Sequence, residues 1–187
     1  MIDKKIGIYG GTFDPIHNGH LRVVVELLTR KVVDQIVLVP AGQPLLKENQ
    51  PIAKSEDRLK MCQLAITDLP SDIRNKVLVS DVEINRPGPS YAIDTVDFFE
   101  KENPSKELFW ILGSDAYSNI ENWHRSVELQ EKVNFIVIDR PGTADGSAMD
   151  IDAIDISSTK IRNDKTFSAV STSVRKYILE KKLYVSK

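Results

Sequence analysis

Residues 10–20 combine glycines, an aspartate and two histidines in one short segment, G-G-T-F-D-P-I-H-N-G-H. Glycine lets the backbone approach a ligand closely. Asn18 is a favourable N-cap, so we expect a helix to begin there with the backbone N–H groups of residues 19–21 exposed. His17 and His20 would add ring N–H donors beside them. This combination predicts a binding site for an anion such as a phosphate group.

Two familiar phosphate motifs and one metal motif are the alternatives for this segment. Neither G-x-G-x-x-G nor G-x-x-x-x-G-K-[ST] follows the first apolar run, which excludes a dinucleotide fingerprint or a P-loop there. Asp14, His17 and His20 have the spacing D-x-x-H-x-x-H and could supply three metal ligands. No cysteine or further histidine lies nearby to complete a closed metal site, so phosphate binding is the favoured interpretation.

A second polar segment lies near the end of the chain, where residues 156–162 read I-S-S-T-K-I-R. Ser157 or Ser158 can cap a helix whose first N–H groups attract an anion. The hydroxyl groups, Lys160 and Arg162 would add further donors and positive charge. Together with residues 10–20, this segment predicts two helix N-termini that hold one polyphosphate.

Short apolar runs alternate along the chain with longer segments of helical period, as in βα units that stack into a parallel sheet. We therefore expect an α/β fold: a Rossmann-like, doubly wound parallel sheet of about five or six strands, with helices at the C-terminal end. The strands are predicted at 5–9, 35–39, 77–82, 107–112 and 133–138. The helices are predicted at 19–31, 55–69, 91–103, 114–130 with a break near 122–124, 158–163 and 172–182, with a loop at 140–152.

The composition is that of an ordinary globular protein, with 41% hydrophobic and 28% charged residues in 187 positions. We expect a single domain, 1–187. The formal net charge of -2 argues against a nucleic-acid partner. No apolar run reaches the ~20 residues that cross a membrane. A signal-peptide pattern is absent and Cys62 is the single cysteine, so we expect a cytoplasmic protein and leave homo-oligomerisation open.

The two polar segments resemble the G-G-T-F-D-P-x-H-x-G-H and I-S-S-T-x-I-R signatures of the HxGH nucleotidylyltransferases. Residues 111–123, which contain Gly113-Ser114-Asp115, and residues 86–95 are similar to further segments of that family. Nearly the whole chain resembles the branch that acts on nicotinate mononucleotide. The resemblance implies a nucleotidyltransferase that joins this acceptor to the adenylyl group of ATP, with Mg²⁺ accompanying the ATP, in NAD biosynthesis.

The resemblance also implies roles for individual residues. His17 and His20 are expected to be catalytic, through contacts with the reacting phosphate of ATP. The ATP-binding residues implied are Gly10, Thr12, His17, His20, Lys47, Gly113, Asp115, Ser158, Thr159 and Arg162. The residues implied for the acceptor mononucleotide are Gly11, Thr12, Phe13, Tyr91 and Trp123, the last by stacking on the pyridine ring. No protein ligands for a metal are implied.

Three positions depart from the family pattern and leave other functions open. Leu46 stands where the family commonly has histidine, Ala92 where it often has threonine, and His124 where it often has tyrosine. The alternatives within the class are a sister enzyme that uses phosphopantetheine or nicotinamide mononucleotide, or a cytidylyltransferase. The alternative of another class is a sensor that binds ATP or a dinucleotide without turnover, which the presence of both histidines disfavours.

Overall fold

The computed structural model describes residues 4–43, 50–139, 149, 151 and 156–184. Its centre is a parallel sheet of five strands in the order β3-β2-β1-β4-β5. This order confirms the predicted α/β, doubly wound architecture. The strands are β1 (Lys5–Gly11), β2 (Gln35–Pro40), β3 (Val77–Val79), β4 (Glu107–Gly113) and β5 (Asn134–Ile138).

Helices connect the strands and close the C-terminal part of the chain. They are α1 (Asn18–Thr29), α2 (Ser55–Thr67), α3 (Ser71–Arg74), α4 (Val82–Asn85), α5 (Ala92–Glu102), α6 (Ser114–Tyr117), α7 (Ser126–Lys132), α8 (Ser158–Asp164) and α9 (Thr172–Lys181), with a 3₁₀ turn at Ile120–Asn122. Within the described ranges, no helix is both long enough and apolar enough to cross a bilayer.

Two of the predicted elements were wrong in extent. The strand predicted at 77–82 ends at Val79, and Val82 already begins α4 because its N–H donates to the Ser80 hydroxyl in a local turn, 3.3 Å away. The helix predicted at 114–130 has its predicted break near 122–124, but it is also interrupted after Tyr117, so that α6, the 3₁₀ turn and α7 are separate. Arg125, with φ 53°, precedes α7 in the left-handed region and separates it from the turn before it.

The sheet is covered on both faces because alternate residues of each buried strand point in opposite directions. On β2, Ile36 and Leu38 pack into a core formed with α1, α2, α8 and α9, whereas Val37 and Val39 pack into a core formed with α5 and α7. Strands buried on both faces are expected to be almost continuously apolar, as these are. Cys62 of α2 is buried in the first core.

The predicted loop at 140–152 lies mostly outside the described residues. Met149 is described, and it extends the sheet by a single parallel bridge to Ile138. Its N–H donates to the carbonyl oxygen of Val137 at 2.8 Å. Ile151, two residues later, is fully buried in the core on the α1 side. Met149 therefore pairs with the outer edge of β5.

From β1 the chain continues through β2 to β3 on one side of the sheet, and then returns to form β4 and β5 on the other side of β1. The strand order therefore reverses between β1 and β4. Ligands of open α/β sheets bind at the carboxyl ends of the strands at such a switch point. Here those ends are Gly10 and Gly11 of β1 and Gly113 of β4. We therefore expect a ligand to bind at these two glycine-containing strand ends.

The loop that follows β2 is packed tightly enough to give a test of the fold. A Cβ atom on Gly42 would lie 2.1 Å from the carbonyl oxygen of Glu83. Relieving such a contact requires backbone movement, so we expect Gly42→Ala to lower the free energy of unfolding by about 1–3 kcal/mol in urea titrations. Gly113→Ala is the matched control, since its new Cβ would have no neighbour nearer than 4.0 Å. Equal unfolding free energies for the two variants would contradict this packing.

Candidate active site

The turn after β1 is shaped by aromatic side chains packed beneath its glycines. A Cβ on Gly10 would lie 2.8 Å from the ring of Trp110, and one on Gly11 would lie 2.9 Å from the ring of Phe13. Phe13 itself has φ 48°, which folds the chain back at this point. Glycine is therefore required here by the protein's own packing, in addition to any close approach of a ligand. Phe13 is almost fully buried, so its described position is that of a core residue.

His17 and His20 lie side by side at the start of α1. Their rings stack with centroids 3.7 Å apart and planes 27° from parallel. The backbone N–H of His17 donates to Nδ1 of His20 at 3.2 Å. An imidazole nitrogen that accepts a hydrogen bond carries no proton, so the proton of neutral His20 is on Nε2. His20 therefore presents an N–H donor on the side of its ring away from its own helix turn.

The N-cap of α1 is His17, with φ -140° and ψ 172°, so the prediction of Asn18 was wrong by one residue. The reciprocal contact with His20 replaces the side-chain cap that asparagine would have given. The carbonyl oxygen of His17 accepts from the N–H groups of His20 and Leu21. Two of the three backbone donors expected to face an anion are therefore engaged within the helix, and the imidazole rings become the main candidate donors.

Asp14 is buried with 3% of its surface exposed, and its carboxylate turns toward backbone rather than toward the histidines. It accepts from the N–H groups of Ile52 and Ala53 at 2.9 and 3.1 Å and from the hydroxyl of Tyr184 at 2.7 Å. Burial, followed by the charge of Asp14, raises the pKa of Tyr184, which keeps this hydroxyl protonated as a donor. Among the described residues, no group of three histidine, cysteine, aspartate or glutamate side chains is placed to hold a metal ion.

Arg58 of α2 is a buried charged residue that sequence analysis did not select. It is 1% exposed, and its guanidinium donates to the carbonyl oxygens of Thr12, Gly42 and Ala53 at 2.8, 3.4 and 3.3 Å. Burial lowers the pKa of Arg58 from its ordinary value, and the carboxylate of Asp14 opposes that shift. One side chain thus joins the turn after β1, the loop after β2 and the start of α2.

The second polar segment lies directly against the first. Ser157 caps α8 by accepting from the N–H of Lys160 at 3.2 Å. Ser158 donates to the carbonyl oxygen of Pro15 at 3.0 Å. Arg162 donates to the carbonyl oxygen of Asp14 and to the Thr159 hydroxyl. In this structure Ser158 and Arg162 therefore fix the backbone of the histidine turn, and their roles toward ATP stay predictions.

Gly113 and Asp115 lie where β4 passes into α6. Gly113 is the last residue of β4 and has open space where a side chain would be. Asp115 is exposed on the first turn that follows. These positions are compatible with the nucleotide contacts expected for them. Lys47 and Leu46 lie outside the described residues, so the loop that carries them has no assigned place in the site.

Two of the residues expected at the acceptor, Tyr91 and Trp123, lie with His124 in an aromatic group beyond Trp110. Trp123 is half-buried and meets Trp110 edge to face, with centroids 6.4 Å apart. Its indole N–H is buried and has no hydrogen-bond partner in the described part of the chain. Tyr91 stacks on His124 at 4.1 Å. Trp110, which sequence reasoning missed, therefore contacts both the glycine turn and Trp123.

A buried polar network contacts the backbone of Tyr91. The hydroxyl of Thr95 donates to Glu83 at 2.7 Å, and Arg86 donates to the Tyr91 carbonyl oxygen at 3.3 Å. Burial raises the pKa of Glu83, while the hydrogen bonds from Thr95 and Ser90 oppose that shift. The segment 86–95, selected by resemblance, thus contains Tyr91 of the Tyr91–His124 pair and also residues that position Tyr91.

Comparisons with known proteins identify the family of this chain. Residues 8–164 match the family described as cytidylyltransferase-like. The chain is 36% identical to the probable nicotinate-nucleotide adenylyltransferase of Bacillus pumilus and 36% identical to the nicotinate-nucleotide adenylyltransferase of Bacillus subtilis, in each case covering 98% of this chain and 100% of the relative. The fold also matches Plasmodium falciparum nicotinic acid mononucleotide adenylyltransferase complexed with NaAD, with a TM-score of 0.83, 22% identity and 97% of both chains covered. The chain therefore belongs to the cytidylyltransferase-like family and, within it, to the nicotinate-nucleotide adenylyltransferases.

Proposed function

We propose that this protein transfers the adenylyl group of ATP to nicotinate mononucleotide, giving deamido-NAD and pyrophosphate. The observation that carries the proposal is the stacked pair of His17 and His20 at the switch point of the sheet. A nucleotide laid across the ends of β1 and β4 would place a phosphate over that pair. The relatives named for this activity, at 36% identity over nearly the whole chain, support the choice of substrates.

The chemistry requires no nucleophile from the protein. An oxygen of the acceptor's 5′-phosphate forms a bond to the α-phosphorus of ATP, and the bond from that phosphorus to the pyrophosphate oxygen breaks. The attacking phosphate has a second pKa of about 6, so it is already an anion near neutral pH and no base has to deprotonate it. The protein's task is to align the two phosphates and to stabilise charge in the transition state.

The Nε2–H of His20 is the donor best placed for that task, because its Nδ1 is occupied by the backbone of His17. The hydrogen bond from the His17 N–H fixes which nitrogen of His20 carries the proton, and stacking on His17 limits rotation of the ring. A donor that is oriented before the substrate binds loses little free energy to reorganisation during the reaction. His17, which is 6% exposed, would both orient His20 and contact the phosphate from the buried side.

Mg²⁺ would enter as part of the MgATP substrate, where it neutralises charge on the leaving phosphates. The carboxylate of Asp14, the acidic group nearest in sequence to the histidines, is fully engaged with N–H and O–H donors and is not available as a ligand. We therefore assign no protein residue to the metal and expect the phosphate oxygens and water to hold it.

The acceptor is expected to lie on the Trp123 side of the turn. Trp123, Tyr91 and His124 offer aromatic faces there, and an aromatic face accommodates a pyridine ring by stacking. Phosphopantetheine carries no such ring. The aromatic group therefore favours a pyridine nucleotide over phosphopantetheine. The presence of both His17 and His20 disfavours the alternative of a sensor without turnover.

A further prediction concerns the acceptor. With ATP and Mg²⁺, pyrophosphate release should be fastest with nicotinate mononucleotide, slower with its amide, and near background with phosphopantetheine. Initial rates with each acceptor at several concentrations give kcat/KM for the three. Turnover of phosphopantetheine equal to that of the nicotinate nucleotide would overturn the proposed function, and preference for the amide would change its acceptor.

Another prediction concerns the histidines. We expect His17→Ala and His20→Ala each to lower kcat by roughly 10²–10³, as when one transition-state donor is lost, with little change in the KM of the acceptor. His20→Gln is the matched control, because its amide N–H can occupy the position of Nε2, and it should keep more activity than His20→Asn. Steady-state kinetics on variants with unchanged circular dichroism provide the measurement. Full activity in His20→Ala would exclude the role given to its ring.

A separate prediction concerns Trp123. Replacement by alanine should weaken binding of nicotinate mononucleotide by about 1–3 kcal/mol, the range for loss of one aromatic–base stack, and should affect ATP far less. Separate titrations of the two ligands against the variant measure this difference. If both affinities fall together, Trp123 acts by supporting Trp110 and the glycine turn instead of by stacking on the acceptor.

A further inference from the structure

Two buried polar atoms at the ends of neighbouring strands lack hydrogen-bond partners. They are Oγ of Ser114 and Oδ1 of Asp139, and neither has a partner within the described part of the chain. Asp139 is only 7% exposed. Most buried polar atoms in proteins are hydrogen-bonded, since an unpaired one loses its bonds to water without replacement. Each such atom therefore requires an explanation, and a bound ligand is one.

The two residues occupy equivalent positions in the fold. Gly113 of β4 pairs in register with Ile138 of β5, and Ser114 and Asp139 are the residues that follow. Adjacent strands lie about 4.8 Å apart, so these side chains begin close to one another at the carboxyl edge of the sheet. Gly113, directly before Ser114, has no side chain, and a Cβ there would have its nearest neighbour, the Ile138 carbonyl oxygen, 4.0 Å away.

The backbone of Asp139 has a separate structural role that leaves its side chain available. Its N–H donates to the carbonyl oxygen of Met149 at 3.4 Å, which continues the bridge at the edge of β5. Strand pairing therefore does not account for the carboxylate. Sequence reasoning did not select Asp139, because it lies at the start of a segment that matched neither phosphate motif.

The chemistry of the two groups restricts what could bind between them. A carboxylate offers only acceptors, and a hydroxyl both donates and accepts. An approaching triphosphate would be repelled by the charge of Asp139, so the phosphates belong near the histidines and not here. The nucleoside half of ATP is uncharged and has donors of two kinds, the ribose hydroxyl groups and the 6-amino group of adenine.

We propose that Asp139, together with Ser114, accepts a hydrogen bond from the nucleoside half of ATP and so determines which nucleotide the protein selects. The inference rests on the proposed function in that it takes ATP as a substrate. It adds a specificity-determining residue outside both phosphate-binding segments. The donor on the ligand is either the 6-amino group or one ribose hydroxyl, and the test distinguishes these sources.

The experiment compares four nucleotides: ATP; ITP, which has a carbonyl oxygen in place of the amino group; and 2′-deoxy-ATP and 3′-deoxy-ATP, which each lack one hydroxyl. Affinities are measured by calorimetry with Mg²⁺ and no acceptor, so the result does not depend on turnover. The wild type should bind ATP about 10- to 100-fold more tightly than the analogue that lacks the relevant donor, the range for one hydrogen bond to a charged group. Asp139→Ala should reduce that preference to about one, and Asp139→Asn, which keeps an amide oxygen, should retain part of it.

Glu107→Gln is the matched control, since it removes one negative charge at the opposite edge of the same two strands, where Glu107 accepts from Asn134 at 2.9 Å. This variant should keep the wild-type preference. Equal weakening of all four nucleotides by Asp139→Ala, or no weakening of any, would overturn the inference. Failure of the wild type to release pyrophosphate with nicotinate mononucleotide would remove the proposed function alone, since a selective loss in Asp139→Ala would still identify a nucleoside site.

Discussion

The arrangement of the site depends on one buried carboxylate, that of Asp14. Placing a charge in the protein interior is costly unless every lone pair finds a donor, and here backbone N–H groups, a tyrosine hydroxyl and the nearby guanidinium of Arg162 fulfil this need. These donors come from the segment before α2, from α8 and from Tyr184 beyond α9. The charge therefore draws three distant parts of the chain onto the turn that carries the histidines.

Arg58 completes this arrangement from the opposite side. Its guanidinium satisfies backbone carbonyl oxygens in three connecting segments, none of which belongs to a regular element that would otherwise use them. Buried carbonyl groups of loops are expensive to leave unpaired. The positions of the glycine turn and of the loop after β2 are thus fixed relative to each other by one side chain from a neighbouring helix. The backbone at Thr12, Gly42 and Ala53 therefore shares one buried support.

The sequence predicted the fold well because the signals for a doubly wound sheet are local. Apolar runs located the five strands, although the run at 77–82 extends past the turn in which the Ser80 hydroxyl accepts a hydrogen bond from the N–H of Val82. The start of the first helix was predicted to within one residue and its end to within two, but its cap was missed, since no propensity scale includes a histidine that caps through a second histidine. Arg58 and Asp139 were missed for a different reason. Their importance arises from contacts with residues far along the chain, or from the lack of such contacts, and neither can be seen in spacing alone.

The position of Trp110 beside Trp123 determines where the fluorescence of the protein originates. The chain contains two tryptophans, and both belong to the wall between the glycine turn and the aromatic group of the acceptor side. With ring centroids 6.4 Å apart, they are close enough to exchange excitation energy before either emits. The near-ultraviolet emission of the protein therefore originates almost entirely from this wall, and the unmodified chain carries its own fluorescent reporter beside its chemistry.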